Sequence, residues 1–117
     1  MTDFSIDRTS DQDITFQYYE SNGTTKRPLI GATVLFTVKP NAFDSDADDS
    51  DAVITKNITS HTDAATGLTK ITLTDTDTAV DPYNYFYSVR VQESGGKVYL
   101  AQSGRLQISA NTGNRSV

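Results

Sequence analysis

The sequence predicts an all-β protein, a small sandwich of seven strands. Three observations carry this. From Gly67 to Ile108 apolar residues alternate with polar ones, as in Ile71 and Leu73, then Tyr83, Tyr85, Tyr87, Val89 and Val91. Period two over that length marks strands with one buried face. Thr and Ser number 17 and 11 among 117 residues, and the first favours strands while the second favours turns. No window longer than about two turns shows helical periodicity.

The elements follow in order. A short first strand lies near Phe4 to Arg8. The second runs from Asp13 to Glu20 with Ile14, Phe16 and Tyr18 on one face, and Ser21-Asn22-Gly23 turns the chain. The third, Ala32 to Lys39, buries Val34, Phe36 and Val38. Leu35 on its other side suggests a second covered face, and Pro40 ends the strand for want of an N–H. The fourth spans Ala52 to Thr59, the segment His61 to Gly67 turns, and the fifth spans Leu68 to Thr74.

The run Asp75 to Asp81 links opposite edges. Its Asp and Thr side chains suit the cap of a single helical turn. At the start of the sixth strand, Tyr83 or Tyr85 is placed to bond its hydroxyl to nearby backbone, as tyrosines at such corners do. The Ser94-Gly95-Gly96 turn leads to the seventh strand, Lys97 to Ser109. There Val98, Leu100, Leu106 and Ile108 share one parity across an interruption at Gln102-Ser103-Gly104. The glycine predicts a bulge or bend. The reading is one domain, residues 1–117, with a core from about 3 to 109 and a mobile tail from 110 to 117.

Composition narrows the function. With no cysteine, a disulfide framework, a thiolate zinc site and a Cys nucleophile are excluded. No apolar run approaches the ~18 residues of a membrane-spanning helix. The start MTDFSIDRTS lacks a basic segment followed by an apolar core, so the expectation is synthesis and folding in a cytosol. Net charge is −5, and five Asp fall between Asp44 and Asp51. The other ten acidic groups match the ten basic ones. Without a basic stripe, a nucleic-acid partner is not expected.

The candidate sites are few. Asp44, Asp46 and Asp48 have the two-residue spacing of a calcium loop, since hard cations take several carboxylate oxygens. Asp49 stands where such a loop needs glycine and Thr55 where it needs a bidentate carboxylate, so a solvated acidic loop is the stronger reading. No cofactor is expected, with calcium at this loop the one alternative. His61 is the only histidine, and its polar turn predicts an exposed imidazole without a catalytic role. Asp75 and Asp77 read as capping groups rather than a hydrolytic pair. Tyr19, Phe86 and Tyr99 fall on the parity opposite the core and form a candidate interaction surface.

The order of short motifs adds a family resemblance. Gly31-Ala32-Thr33-Val34 leads into a strand, and Ala65-Thr66-Gly67 turns into Ile71-Thr72-Leu73-Thr74. Asp77-Thr78 precedes Tyr83-Asn84-Tyr85, and Gly95-Gly96-Lys97-Val98 precedes Ser103-Gly104-Arg105-Leu106. This resembles the immunoglobulin-like domain of tailed-phage structural proteins. It is similar to the amino-terminal domain of the siphophage upper baseplate family, over roughly Asp13 to Ile108. The resemblance implies a seven-stranded immunoglobulin-like β-sandwich and a non-enzymatic virion subunit on the tail, neck or baseplate. Its partners would be other virion structural proteins, as a homo-oligomer or in a multi-copy symmetric assembly, with neither membrane nor nucleic acid. Two alternatives stand beside it: a capsid decoration protein on the major capsid protein, and a calcium-assisted carbohydrate-binding module.

Overall fold

Among the described residues seven strands form, and they sort into two sheets of unequal size. The structure is a computed structural model, and it describes residues 3–7, 10–20, 23–40 and 52–109. The strands are β1 (Phe4–Asp7), β2 (Gln12–Gln17), β3 (Thr33–Lys39), β4 (Ile54–Ile58), β5 (Leu68–Leu73), β6 (Tyr83–Gln92) and β7 (Val98–Ser109). Five make one sheet in the order β1-β7-β6-β3-β4, and β2 and β5 make the other. Two strands facing a larger sheet that includes β3, β6 and β7 is the arrangement of an immunoglobulin-like sandwich. All neighbours are antiparallel except β1, which runs parallel to β7.

The core lies between the sheets. Val34, Phe36, Val38, Tyr87, Val89, Val91, Leu106 and Ile108 come from the large sheet; Ile14, Phe16, Ile71 and Leu73 come from the small one. Their alternation with exposed neighbours is what the period-two pattern requires. Phe36 and Tyr87 stack with ring centroids 5.9 Å apart, and Phe4 leans on Tyr87 at 5.1 Å. Leu29, fully buried, plugs one end, its N–H donating to the Ala64 carbonyl at 2.8 Å.

The corners are built by side chains bonding to backbone. At the β5–β6 link, Thr74 and Asp77 bond reciprocally. Asp77 Oδ2 accepts from the Thr74 N–H at 2.8 Å, and Thr74 Oγ1 accepts from the Asp77 N–H at 3.3 Å. The Thr78 N–H then donates to the Thr74 carbonyl at 3.1 Å, closing a single helical turn. This is the capping-box geometry that Thr and Asp three residues apart allow. The buried Thr78 hydroxyl donates to the Ser10 carbonyl at 2.7 Å, tying this link to the one between β1 and β2.

Two details of the alternation differ from expectation. Tyr83 is 56% exposed; it packs edge-on against Tyr85 rather than entering the core. In β7 the single parity does not survive. Val89 pairs with Gln102 but Arg90 pairs with Leu100, so Ala101 is the extra residue of a bulge. An extra residue reverses which side chains face inward. Leu106 and Ile108 are buried, whereas Val98 and Leu100 lie on the outer face, 46% and 55% exposed. The tail from 110 lies outside the described residues.

Candidate interaction surface

Cross-strand partners share a face, so the register defines the outer side of the large sheet. One row runs Asn57, Leu35, Arg90, Leu100; the next runs Thr55, Thr37, Ser88, Ser103; the third runs Lys39, Phe86, Arg105. Val98 extends the first row's apolar end, opposite Gln92. Leu35 and Phe86 are half-buried by their neighbours, while Val98, Leu100, Arg90 and Arg105 are exposed. Among the described residues neither the Arg90 nor the Arg105 guanidinium forms an ion pair, though the Arg105 backbone N–H donates to Asp3 Oδ1 at 3.0 Å. Apolar and aromatic side chains set among arginines and hydroxyls is the composition of a docking surface.

A second cluster closes one end of the sandwich. Arg27 holds Glu93 with two parallel bonds, Nε to Oε2 at 2.6 Å and Nη2 to Oε1 at 2.7 Å, and reaches Glu20 Oε2 with Nη1 at 3.2 Å. Its guanidinium lies over the rings of Tyr18 and Tyr99, 5.8 and 5.4 Å from their centroids. The Tyr18 hydroxyl donates to Glu93 Oε2 at 3.2 Å. Burial pushes the Tyr18 pKa up, and the Glu93 carboxylate adds to that. The Glu93 bonds push the pKa of Arg27 further up. A shallow groove of about 440 Å³ runs beside the cluster past Pro28, Ile30 and Lys97. The Arg27 charge is met from within the chain, so this end reads as a structural clasp.

The three aromatics expected on one surface are separated. Phe86 lies on the outer face of the large sheet, as its parity predicts. Tyr99 is exposed, at 40%, but not on that face: the bulge turns it to the other side of β7, opposite the buried Val91, where it covers Arg27. Tyr19 sits past the end of β2 in an isolated bridge to Lys26. The residues that join Phe86 are Leu35, Val98, Leu100, Arg90 and Arg105. Leu35 carried a signal in its off-parity position. Val98 and Leu100 were placed on the wrong face: the interruption at Gln102-Ser103-Gly104 marked a bulge or bend, but not the reversal of parity that the extra residue Ala101 brings.

His61 is not the exposed imidazole its turn suggested. Its Nε2 lies 2.8 Å from the Ala32 carbonyl and its Nδ1 2.9 Å from Thr69 Oγ1. A carbonyl only accepts, so Nε2 carries the proton; in the neutral ring Nδ1 then accepts from the Thr69 hydroxyl. With both nitrogens committed inside the fold, the ring acts as a staple. Asp44, Asp46 and Asp48 lie outside the described residues. Among the described residues no three His, Cys, Asp or Glu side chains stand together to hold a metal.

The class that the fold defines is the immunoglobulin-like all-β sandwich, here with apolar side chains and two arginines on the outer face of its larger sheet. No protein-family model matches this chain, and no curated protein matches it in sequence. Among solved structures it is similar to the soluble domain of PmoD from Methylocystis sp. ATCC 49242 (Rockwell). The TM-score is 0.51 and the identity 8%, over 90% of this chain and 77% of that one. It is also similar to an uncharacterized protein from Bacillus anthracis str. Ames, with TM-score 0.43 and identity 14% over 91% and 76%. Murine CRIg follows, with TM-score 0.40 and identity 12% over 94% and 92%. The likeness to PmoD is one of fold alone, since a shared sandwich carries no shared function.

Proposed function

We propose that this chain is a non-catalytic structural subunit that docks on a larger protein assembly through the outer face of its five-stranded sheet. The observation that carries the reading is the cross-strand row Leu35, Arg90, Leu100, extended by Val98 and flanked by Phe86 and Arg105. Arginine and aromatic side chains are enriched at protein interfaces, and Arg90, Arg105 and Phe86 supply them on this face. A non-catalytic role is supported by His61, whose ring nitrogens are both bonded inside the fold. The sequence resemblance supports a tailed-phage virion as the assembly, with the subunit on the tail, neck or baseplate. Many copies on a symmetric particle turn weak single contacts into firm attachment.

Electron cryomicroscopy of intact particles carrying this chain tests the proposal. The expected result is a seven-stranded density on the tail, neck or baseplate with the outer sheet face against a neighbour, and its loss in a Leu100→Asp particle. Density on the capsid shell replaces this reading with capsid decoration. Glycan binding abolished by a calcium chelator replaces it with the carbohydrate-binding module.

A further inference from the structure

The small sheet has an open edge along β5. Leu68 exchanges both backbone bonds with Asp63, each 2.9 Å, so its N–H and C=O point away from β2. Ladder groups alternate in direction along an antiparallel strand. The N–H and C=O of Lys70 and Thr72 therefore point the same way, past the end of the Asp63 bridge. Among the described residues β5 pairs in a sheet with β2 alone, and β4 with β3 alone. Between these two edges lies a groove of about 300 Å³, lined in part by Lys56, Asn57, Lys70 and Thr72. Its two ionisable lining residues are both lysines. Lys56 is held by Asp77 at 2.6 Å, whereas Lys70 stands 3.9 Å from Asp13 on an exposed surface.

We propose that this edge is a site of β-strand addition. An extended segment of a partner protein lies along β5 as a third strand and bonds the backbone of Lys70 and Thr72. A carboxylate on that segment meets the Lys70 ammonium. Main-chain bonds supply the attachment in such a mode, and side-chain pockets supply selectivity. The occupant is acidic because Lys70 is held only loosely, 3.9 Å from an exposed Asp13, and has charge left to offer, whereas Lys56 is already met by Asp77. A two-stranded layer is marginal by itself, and a third strand extends it over the core. The site belongs to the sheet opposite the docking face, so each stands or falls without the other.

The test uses the full chain, isotopically labelled, and a synthetic peptide of sequence Thr-Val-Asp-Val-Thr-Val blocked at both ends. A second peptide has Lys in place of Asp. Binding of the acidic peptide is expected to shift the Lys70 and Thr72 amide resonances and to slow their hydrogen exchange at least tenfold. Lys70→Glu, a surface change, is expected to remove the response while the spectrum stays folded. Three results overturn the proposal: no shift at millimolar peptide, an equal response to the Lys peptide, or shifts confined to the outer face of the large sheet.

Discussion

The hydroxyl of Tyr85 donates to the carbonyl of Asp81 at 2.6 Å, four residues upstream. The bond ties the first turn of β6 to the link that crosses the end of the sandwich, which is the tyrosine-corner geometry. Burial pushes the Tyr85 pKa up, with the Asp81 charge adding to it. Tyr85→Phe keeps the ring and removes only the bond. The expected loss is about 0.5–1.5 kcal/mol, read as a lower urea midpoint with an unchanged slope. An unchanged midpoint would show that the corner holds without this bond.

That corner was legible in the sequence, as were all seven strands, because each rests on local rules. Alternation marks the buried face, Pro40 stops β3, and the Asp-Thr run after Thr74 supplies Asp77 to cap the turn. The misreadings share one cause: they depend on pairing between distant segments. The His61 ring finds the Ala32 carbonyl 29 residues away. The clasp joins Arg27 to Glu93 across 66 residues. Nothing in a linear pattern distinguishes these from exposed charges. The bulge itself was marked by the interruption at Gln102-Ser103-Gly104, but not that its extra residue, Ala101, reverses the parity of Tyr99 and Leu100.

Gly67 is required twice over. Its φ is +78°, in the left-handed region, and a Cβ built there would stand 2.0 Å from the Arg27 carbonyl oxygen. Its own carbonyl accepts from the Tyr18 N–H at 2.8 Å, so the backbone has no room to shift away. Strain of this type costs about 1–3 kcal/mol before the clash is counted. Asn tolerates the left-handed region better than Ala, yet it brings the same Cβ. Gly67→Ala and Gly67→Asn are therefore both expected to lose more than about 2 kcal/mol in chemical denaturation. Recovery of stability in the Asn variant would mean that backbone conformation alone sets the requirement.

Asp77 makes stability depend on acid. Burial opposes its charge, but bonds from Lys56, the Thr74 N–H and the Thr74 hydroxyl outweigh it, holding its pKa below the ordinary 3.8. A carboxyl whose pKa falls on folding binds fewer protons when folded. Its contribution is thus full above the ordinary value and is lost as pH drops through the lower, folded one. Asp77→Asn is expected to cost up to about 1 kcal/mol near pH 6, the scale of a partly exposed ion pair. That difference from the parent should shrink to nothing as the pH falls below 3.8. Denaturant titrations of both proteins across this range check it; a constant difference would assign the effect to the hydrogen bonds alone.

Tyr99 and Leu100 are adjacent in β7 but serve different ends, and paired substitutions separate them. Tyr99 lies over the Arg27 guanidinium at 5.4 Å, on the side of the strand opposite the outer face. Tyr99→Ala is expected to lower the denaturation midpoint by loosening the clasp, and to leave docking in proportion to the folded fraction. Leu100 is 55% exposed beside Arg90 on the outer face. An exposed substitution of that kind changes stability by no more than about 0.5 kcal/mol, so Leu100→Asp should leave the midpoint in place. It should still abolish attachment, because it removes an apolar anchor and its carboxylate, directly opposite Arg90, draws that guanidinium away from a partner. Arg90→Glu on the same row should weaken attachment with the same unchanged midpoint. If Tyr99→Ala abolishes docking at full stability while Leu100→Asp docks normally, the interface lies at the Arg27 end of the sandwich and not on the sheet face.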